Sequence, residues 1–369
     1  MKTLVTGANG LLGRHVRCYL ASSGLYSDNV ISIDHKHFNN KYHLESSLKD
    51  VDIVIHCAGV NRGEESEVEQ ANLNIAENLV EALSLSGNTP HIFYTNSIQK
   101  ASDTGYGRGK QAAHELISKW AKSTGANYTQ LILPHIFGEG GKPYYNSAIH
   151  TFCHQLVNGE EMKINGKGEL ELVHAQDVAA IIIDAFERKQ TGELRVDGCK
   201  LSVAEVAGKL IHMYQEYFSG VIPDLSLPID LQLFNTLRSF MYPAFYPVEI
   251  KQYNDSRGSL FEAVRNFSEG QVFLSTTRPG ITRGNHYHRN KVERFLVIKG
   301  NAVIKIRHIL DDAIREFFVC GDTPAYVDIP TLHTHSITNI GNTELLTLFW
   351  CHEHYNSRFP DTYSQSVMA

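Results

Sequence analysis

Two groups of residues in this chain are suited to chemistry by type and spacing. The first is Tyr106-Gly-Arg-Gly-Lys110. Residues four apart share a helical face. A phenol with a pKa near about 10 is a poor proton exchanger at neutral pH, and a neighbouring ammonium lowers that value by stabilising the phenolate. Tyr106 can then give a proton to a ketone oxygen as hydride arrives from a nicotinamide. The second group runs from Gly280 to Gly300 and reads G-x5-H-x-H-x4-E-x6-G, with His286, His288 and Glu293 at its polar positions. Residues two apart on a strand point to the same side, so the two imidazoles can face inward together and meet Glu293 after a turn. His335, in Pro330-Thr-Leu-His-Thr-His335-Ser-Ile-Thr-Asn339, offers a fourth ligand, with His333 as its alternative. Imidazoles with one carboxylate suit zinc, iron, manganese or nickel.

The elements that must position these groups differ between the two halves. Short apolar strands are expected at 2–6, 30–33, 51–56, 91–95 and 129–133, with helices at 10–22, 71–85 and 110–122 between them. This alternation predicts an α/β fold, a doubly wound parallel sheet of Rossmann type. The first strand runs into Gly7-Ala8-Asn9-Gly10-Leu11-Leu12-Gly13, a GxxGxxG turn that can bring backbone and a helix N-terminus up to a pyrophosphate. Asp34 closes the second strand, where a carboxylate takes ribose hydroxyls and favours NAD; His35, Lys36 and His37 follow it and can hold a 2′-phosphate. Helix patterns at 147–158, 176–188, 202–217 and 229–240 suggest a smaller substrate subdomain. A Pro- and aromatic-rich connection at 241–249 follows. Beyond it lie short apolar runs at 271–276, 295–298, 302–309, 314–319 and 344–350, which predict an all-β barrel or jelly roll. The domain break is placed near 245, giving domains 1–245 and 246–369.

Composition removes several classes of function. A net charge of −6 without a basic run argues against nucleic-acid binding. No apolar stretch is long enough for membrane insertion, and the N-terminus enters a strand without a signal-peptide pattern. The six scattered cysteines form no CxxC pair, which fits reduced thiols in a cytoplasmic protein.

The first half resembles an extended short-chain dehydrogenase/reductase. The resemblance rests on Gly7, Gly10 and Gly13, on His56-Cys57-Ala58-Gly59, and on Asn72 with Asn78-Leu79-Val80-Glu81-Ala82. Tyr106 with Lys110, Pro134-His135-Ile136-Phe137-Gly138 and Val173-His174-Ala175-Gln176-Asp177-Val178 complete it. It implies that Tyr106 is the proton donor, that Lys110 holds the cofactor ribose and tunes Tyr106, and that Ser97 bonds the substrate oxygen. It also implies cofactor contacts from Gly7, Asn9, Gly10, Leu11, Leu12, Gly13, Asp34, His35, Lys36, Cys57, Ala58, Gly59, Lys110 and Pro134. Only nine positions separate Ser97 from Tyr106, fewer than in most such enzymes, so Asn96, Thr95 and Thr104 stand as alternatives to Ser97.

The second half resembles a cupin. It matches the first cupin motif at each fixed position and the second at Pro330, His335 and Asn339, with Leu332 where a glycine is usual. Asp255-Ser-Arg257-Gly258-Ser-Leu-Phe-Glu262 and Arg283-Gly284-Asn-His286-Tyr resemble the sugar-nucleotide 3,5-epimerase branch of the cupins. In that branch, which generally lacks metal, the equivalent of His286 is the base. The full ligand set here favours metal ligation, zinc first, by His286, His288, Glu293 and His335; His333, His352, Glu353 and Lys305 are then candidate bases.

As a whole the chain resembles the bifunctional capsular polysaccharide synthesis enzymes of the UDP-N-acetyl-L-fucosamine pathway. That resemblance implies a UDP-sugar partner, UDP-2-acetamido-2,6-dideoxy-4-hexulose. It implies C3 epimerisation in the cupin and C4 reduction with NADPH, in preference to NADH, giving UDP-2-acetamido-2,6-dideoxy-L-talose. A homodimer is expected because cupins often pair through barrel strands. The alternative keeps the reductase and makes the cupin a structural or dimerising module.

Overall fold

The protein is described by a computed structural model that covers residues 1–24, 29–38, 40–162, 164, 168–267 and 269–368. It forms two compact units: residues 1–141 with 168–202, and residues 142–167 with 203–369.

The first unit is built on β1 (Thr3–Thr6), α1 (Leu11–Ser22), β2 (Val30–Ile33), α2 (His35–Phe38), α3 (Lys41–Ser47), β3 (Ile53–His56), α4 (Glu65–Ser86), β4 (His91–Ser97), α5 (Gly105–Thr124) and β5 (Tyr128–Leu133). Among the described residues, β2-β1-β3-β4-β5 and a later strand of the same unit (Gly192–Arg195) form a six-stranded sheet, parallel throughout. Each face of the sheet carries its own core, because alternate residues of a strand point opposite ways. Val5, Ile53, Ile55, Phe93 and Leu131 pack with α1 residues Leu12, Val16 and Leu20. Leu4, Val54, Ile92 and Tyr94 pack with Leu79 and Leu83 of α4 and Ile117 of α5. A sheet covered on both faces explains why β1 and β3 are apolar runs rather than alternating ones. This is the Rossmann-type sheet expected from the sequence. Its order reverses between β1 and β3, and the crevice at such a reversal is where open α/β sheets bind ligands.

The first unit continues with β6 (His135–Phe137) and, after the segment assigned to the other unit, β7 (Glu169–His174), α7 (Ala175–Glu187), β8 (Gly192–Arg195, the sixth strand above) and β9 (Cys199–Ser202). Strands β6, β7 and β9 form a small second sheet.

The second unit holds α6 (Ala148–Asn158), α8 (Val203–Phe218), β10 (Val221–Ile222), α9 (Pro228–Met241), β11 (Val248–Glu249), and then β12 (Gln252–Asp255), β13 (Gly258–Phe261), β14 (Arg265–Asn266) and β15 (Gln271–Thr277). It ends with β16 (Thr282–Tyr287), β17 (Glu293–Lys299), β18 (Asn301–His308), β19 (Ile314–Cys320), β20 (Ala325–Ile329), β21 (His333–Asn339), β22 (Leu345–Cys351) and β23 (Tyr363–Ser364). Two five-stranded antiparallel sheets dominate, ordered β11-β20-β17-β22-β15 and β19-β18-β21-β16-β23. They face each other: Phe295 of β17 meets His335 of β21 edge-on, ring centroids 5.4 Å apart.

The compact units divide the chain elsewhere than at residue 245, since α6, α8 and α9 group with the β-rich part. The physical tie is a buried ionic network. Arg294 of β17 holds Asp328 of β20 through two bonds of 2.7 and 2.8 Å, and Tyr217 of α8 donates to the same carboxylate at 2.6 Å. Arg238 of α9 donates to the carbonyl of Ile329. Among the described residues no disulfide joins the cysteines, and no helix is long and apolar enough to cross a membrane.

Candidate active site and metal centre

In the first unit, the glycine turn closes tightly upon itself. Gly7 adopts φ +62°, and a Cβ there would sit 2.7 Å from the backbone nitrogen of Ala58. A Cβ at Gly13 would lie 2.2 Å from the Gly7 carbonyl oxygen. Helix α1 starts at Gly10 with no side-chain cap, which leaves first-turn N–H groups for an anion. Of the other residues expected to contact the cofactor, Asn9 is exposed and its Oδ1 accepts from Arg17 at 3.3 Å. Leu11 is half-buried, Leu12 packs into the α1 core, and Pro134 is buried after β5. Cys57 and Ala58 follow β3 beside Gly7, with exposed Gly59 next in line.

Asp34 has a local task. Its Oδ1 accepts the backbone N–H groups of Lys36 and His37 at 2.9 and 3.0 Å and pairs with the His37 ring at 2.8 Å. Those contacts, the backbone bond from His37 foremost, hold its carboxyl below the ordinary value. The side chains of His35 and Lys36 are exposed.

Tyr106 lies in the first turn of α5, which Thr104 caps by accepting the Gly107 N–H at 3.1 Å. Burial pushes the Tyr106 phenol up, and a side-chain hydrogen bond with Ser97 pulls it part of the way back. Lys110 is buried, donates to the Thr95 carbonyl at 2.6 Å and lies over the Tyr94 ring. Burial lowers its ammonium to about 8. A compact 3-10 turn at Ile98–Ala101 spans the short segment before α5, and Ser97 still reaches Tyr106. The alternatives to Ser97 make bonds of their own, as Ser97 does by accepting the Gln99 N–H at 3.1 Å. The Thr95 hydroxyl donates to the His56 carbonyl, Thr104 caps α5, and Asn96 Oδ1 accepts the Ser97 N–H.

In the second unit His286, His288, Glu293 and His335 converge, each offering a ligand atom within 4.8 Å of the others. His286 on β16 is the register partner of His335 on β21, and Glu293 begins β17 in the facing sheet. The pairing of β16 shifts register between Gly284 and His286, with Asn285 at φ +60°, and His288 lies just past the strand end. A Cβ at Gly284 would meet the His335 carbonyl at 2.6 Å, so the bulge needs glycine there. Leu332, where the cupin motif usually has glycine, takes φ +62° and is buried.

His288 donates from Nδ1 to the Asp361 carbonyl at 2.6 Å, and His335 from Nδ1 to the His333 carbonyl at 3.1 Å. Carbonyls only accept, so each ring in its neutral form has its proton on Nδ1 and its lone pair on Nε2; burial disfavours charge on His288, yet the hydrogen bond from its Nε2 to Glu293 raises its pKa. Both Nε2 atoms approach the same Glu293 oxygen, at 3.1 and 3.2 Å. His335 Nε2 is buried and makes no hydrogen bond. Three imidazoles and a carboxylate gathered in this way are suited to a divalent cation, and second-atom bonding of imidazole to carbonyls is the usual support of a metal ligand. The residues therefore fit a divalent cation. Burial disfavours the Glu293 charge, yet His288 and His335 hold its carboxyl far below the ordinary range. The candidate bases stand outside this cluster. Lys305 pairs with Glu316 at 2.7 Å, and His333 donates to the Thr331 carbonyl at 2.8 Å. His352 accepts the Val292 N–H at 3.1 Å, and Glu353 lies 3.6 Å from Lys291. Asp361 was not apparent as a site residue from the sequence.

Two family models match the chain. Residues 3–196 match the NAD dependent epimerase/dehydratase family, and residues 253–363 match the polysaccharide biosynthesis C-terminal domain. The chain is 33% identical, over 100% of its length and 99% of the relative's, to UDP-2-acetamido-2,6-beta-L-arabino-hexul-4-ose reductase of Pseudomonas aeruginosa PA103. The capsular polysaccharide assembling protein CapF of Staphylococcus aureus superposes with a TM-score of 0.63 at 31% identity, covering 100% of both chains. UDP-N-acetylglucosamine 4-epimerase of Bacillus cereus shares the fold over 58% of this chain and 82% of its own, with a TM-score of 0.50 at 23% identity. A parallel sheet with its glycine turn, followed by a β-rich region that matches the polysaccharide biosynthesis C-terminal domain, places this chain in the NAD dependent epimerase/dehydratase family.

Proposed function

We propose that this chain is a bifunctional enzyme acting on UDP-2-acetamido-2,6-dideoxy-4-hexulose. Its domain 246–369, a cupin, epimerises C3, and its domain 1–245 then reduces C4 to give UDP-2-acetamido-2,6-dideoxy-L-talose. A ketone at C4 acidifies the hydrogen at C3, so epimerisation needs a base, an acid on the opposite face and stabilisation of developing negative charge. His286, His288, Glu293 and His335 would hold the metal, and zinc bound there supplies Lewis acidity. Because those rings are committed to ligation, the proton at C3 passes to another side chain, drawn from His333, His352, Glu353 and Lys305.

At the other site NADPH supplies the hydride. Tyr106 gives its proton to the C4 oxygen, Ser97 bonds the same oxygen, and Lys110 orients the ribose and stabilises the phenolate left behind. His35 and Lys36 would meet the 2′-phosphate of NADPH; the Asp34 carboxylate is occupied with backbone N–H groups and His37. Reduction removes the ketone, so the new centre at C3 can no longer revert. The protein acts as a homodimer in the cytoplasm.

The observation that carries the two-site reading is the approach of two imidazole Nε2 atoms to one carboxylate oxygen in the β-rich unit. The P. aeruginosa relative is named as a reductase alone, which favours a second reading in which the cupin is structural or dimerising. Proton NMR of the wild-type enzyme in deuterium oxide with the 4-keto UDP-sugar separates the two. Deuterium entering at C3 without NADPH supports epimerisation by this chain. Reduction of pre-epimerised sugar without any such exchange supports the second reading.

A further inference from the structure

The C-terminal segment beyond β22 reaches the histidine cluster through Asp361 and through the pairing of β23 with His286. The Asp361 carboxylate accepts three successive backbone N–H groups: Arg289 at 3.0 Å on one oxygen, and Asn290 and Lys291, both at 2.9 Å, on the other. These three residues form the turn between His288 and Glu293. The backbone carbonyl of Asp361 accepts the His288 Nδ1 proton at 2.6 Å. Asp361 stands at φ +41°, a backbone conformation uncommon for residues other than glycine. The flanking chain is tied down on both sides. Lys291 donates to the Pro360 carbonyl at 2.9 Å, and β23 pairs with β16 at His286 and Tyr287. Arg307 donates to the carbonyls of Val367 and Ser366 at 2.9 and 2.7 Å, and Val367 is buried.

We infer that Asp361 is a positioning residue for the metal centre, and that residues 360–367 are a strap that sets the tautomer and aim of His288. The carboxylate fixes the turn that separates two ligands, and the carbonyl of the same residue fixes the proton on one of them. Hydrogen bonding of the second ring nitrogen raises ligand basicity and locks ring orientation. The strap therefore acts on metal retention through His288 without touching the ion. Cleavage or displacement of the C-terminus would release the metal while the two sheets remain. This rests on the metal reading of the cluster given above.

The test uses the full-length chain, its Asp361→Ala and Asp361→Asn variants, and a form ending at Phe359. The zinc dissociation constant is measured by competition with a chromophoric chelator, alongside the metal-free melting curve and the ring-nitrogen NMR shifts of His288. Loss of such an outer partner weakens metal affinity by about 10- to 100-fold. Asp361→Ala is expected to fall in that range, and the truncated form to fall at least as far, with the folded sheets retained. Asp361→Asn tolerates the left-handed backbone and keeps one acceptor oxygen, so it folds if Asp361→Ala does not; its expected loss is smaller. In the variants the His288 nitrogen shifts should move from a single Nδ1–H tautomer toward a mixture, which general destabilisation of a folded chain would not cause. Wild-type zinc affinity and unshifted His288 signals in either Asp361 variant would overturn the inference. A wild-type chain that binds no zinc would instead overturn the metal reading.

Discussion

His335 Nε2 lies 3.2 Å from Glu293 Oε2, and no hydrogen bond is made there. The ring and the carboxylate meet across the space between two sheets, and the Nδ1 proton of His335 is given to the His333 carbonyl. On the reading proposed above a divalent cation would complete that arrangement, and Glu293 is the residue to test it on.

Glu293→Gln keeps the shape of the cluster and removes its charge. Metal content after dialysis should drop from about one ion per chain to a small fraction of that. NADPH oxidation with pre-epimerised sugar should stay within about twofold of wild type. Elemental analysis and stopped-assay spectrophotometry check the two halves of this statement.

Gly13→Ala acts on the nucleotide site. The new methyl group would sit 2.2 Å from the Gly7 carbonyl, a backbone atom that cannot swing aside. Overpacking of this kind costs about 1–3 kcal/mol. NADPH should bind at least about tenfold more weakly, as read by quenching of its fluorescence. Unchanged affinity would mean that the turn does not cradle the pyrophosphate.

Lys110 gives a pH dependence of known sign. Burial lowers its folded value from 10.5 to about 8. Between those two values the unfolded chain binds a proton that the folded chain does not, so this group's contribution to stability rises with pH across that window. Below about 8 both states are protonated and the burial penalty is constant. The melting-temperature difference between wild type and Lys110→Met, without cofactor, should move in favour of wild type from pH 8 to 10.5. A flat difference would contradict a buried, depressed lysine.

Asp328→Ala leaves Arg294 and Arg238 buried together without their carboxylate. Breaking a buried pair by removing one partner costs about 3–5 kcal/mol. The β-rich unit should melt well below its wild-type transition, while NADPH binding at the first unit persists. Calorimetry resolves the two transitions. A shift equivalent to less than about 1 kcal/mol would show that the network does not hold α8 and α9 to the strands.

The α/β half was legible in the sequence because its strands are buried on both faces and therefore read as apolar runs, as in Ile53–His56. The site-bearing strands were harder to see. His333–Asn339 is mostly polar, since it lines the cluster, and Thr282–Tyr287 is bent by a bulge that no periodicity records. The bulge that precedes His286 and His288, with Gly284 and Asn285 at positive φ, was not expected from alternation. The grouping of α8 and α9 with the sheets depends on Tyr217, Arg238, Arg294 and Asp328, residues far apart in sequence whose burial no local pattern announces. Asp361 is 73 positions from His288, and nothing in Phe359-Pro-Asp361-Thr points to a role beside a histidine.

The separation of carbon-acid chemistry from hydride transfer is tested most directly with Tyr106→Phe, assayed by proton NMR in deuterium oxide with the 4-keto UDP-sugar and NADPH. The expected result is loss of NADPH oxidation by at least about 100-fold, the scale of a lost general acid, with deuterium still entering at C3 at the wild-type rate. If exchange at C3 stops together with NADPH oxidation, one site performs both steps and the division between Tyr106 and the histidine cluster is wrong.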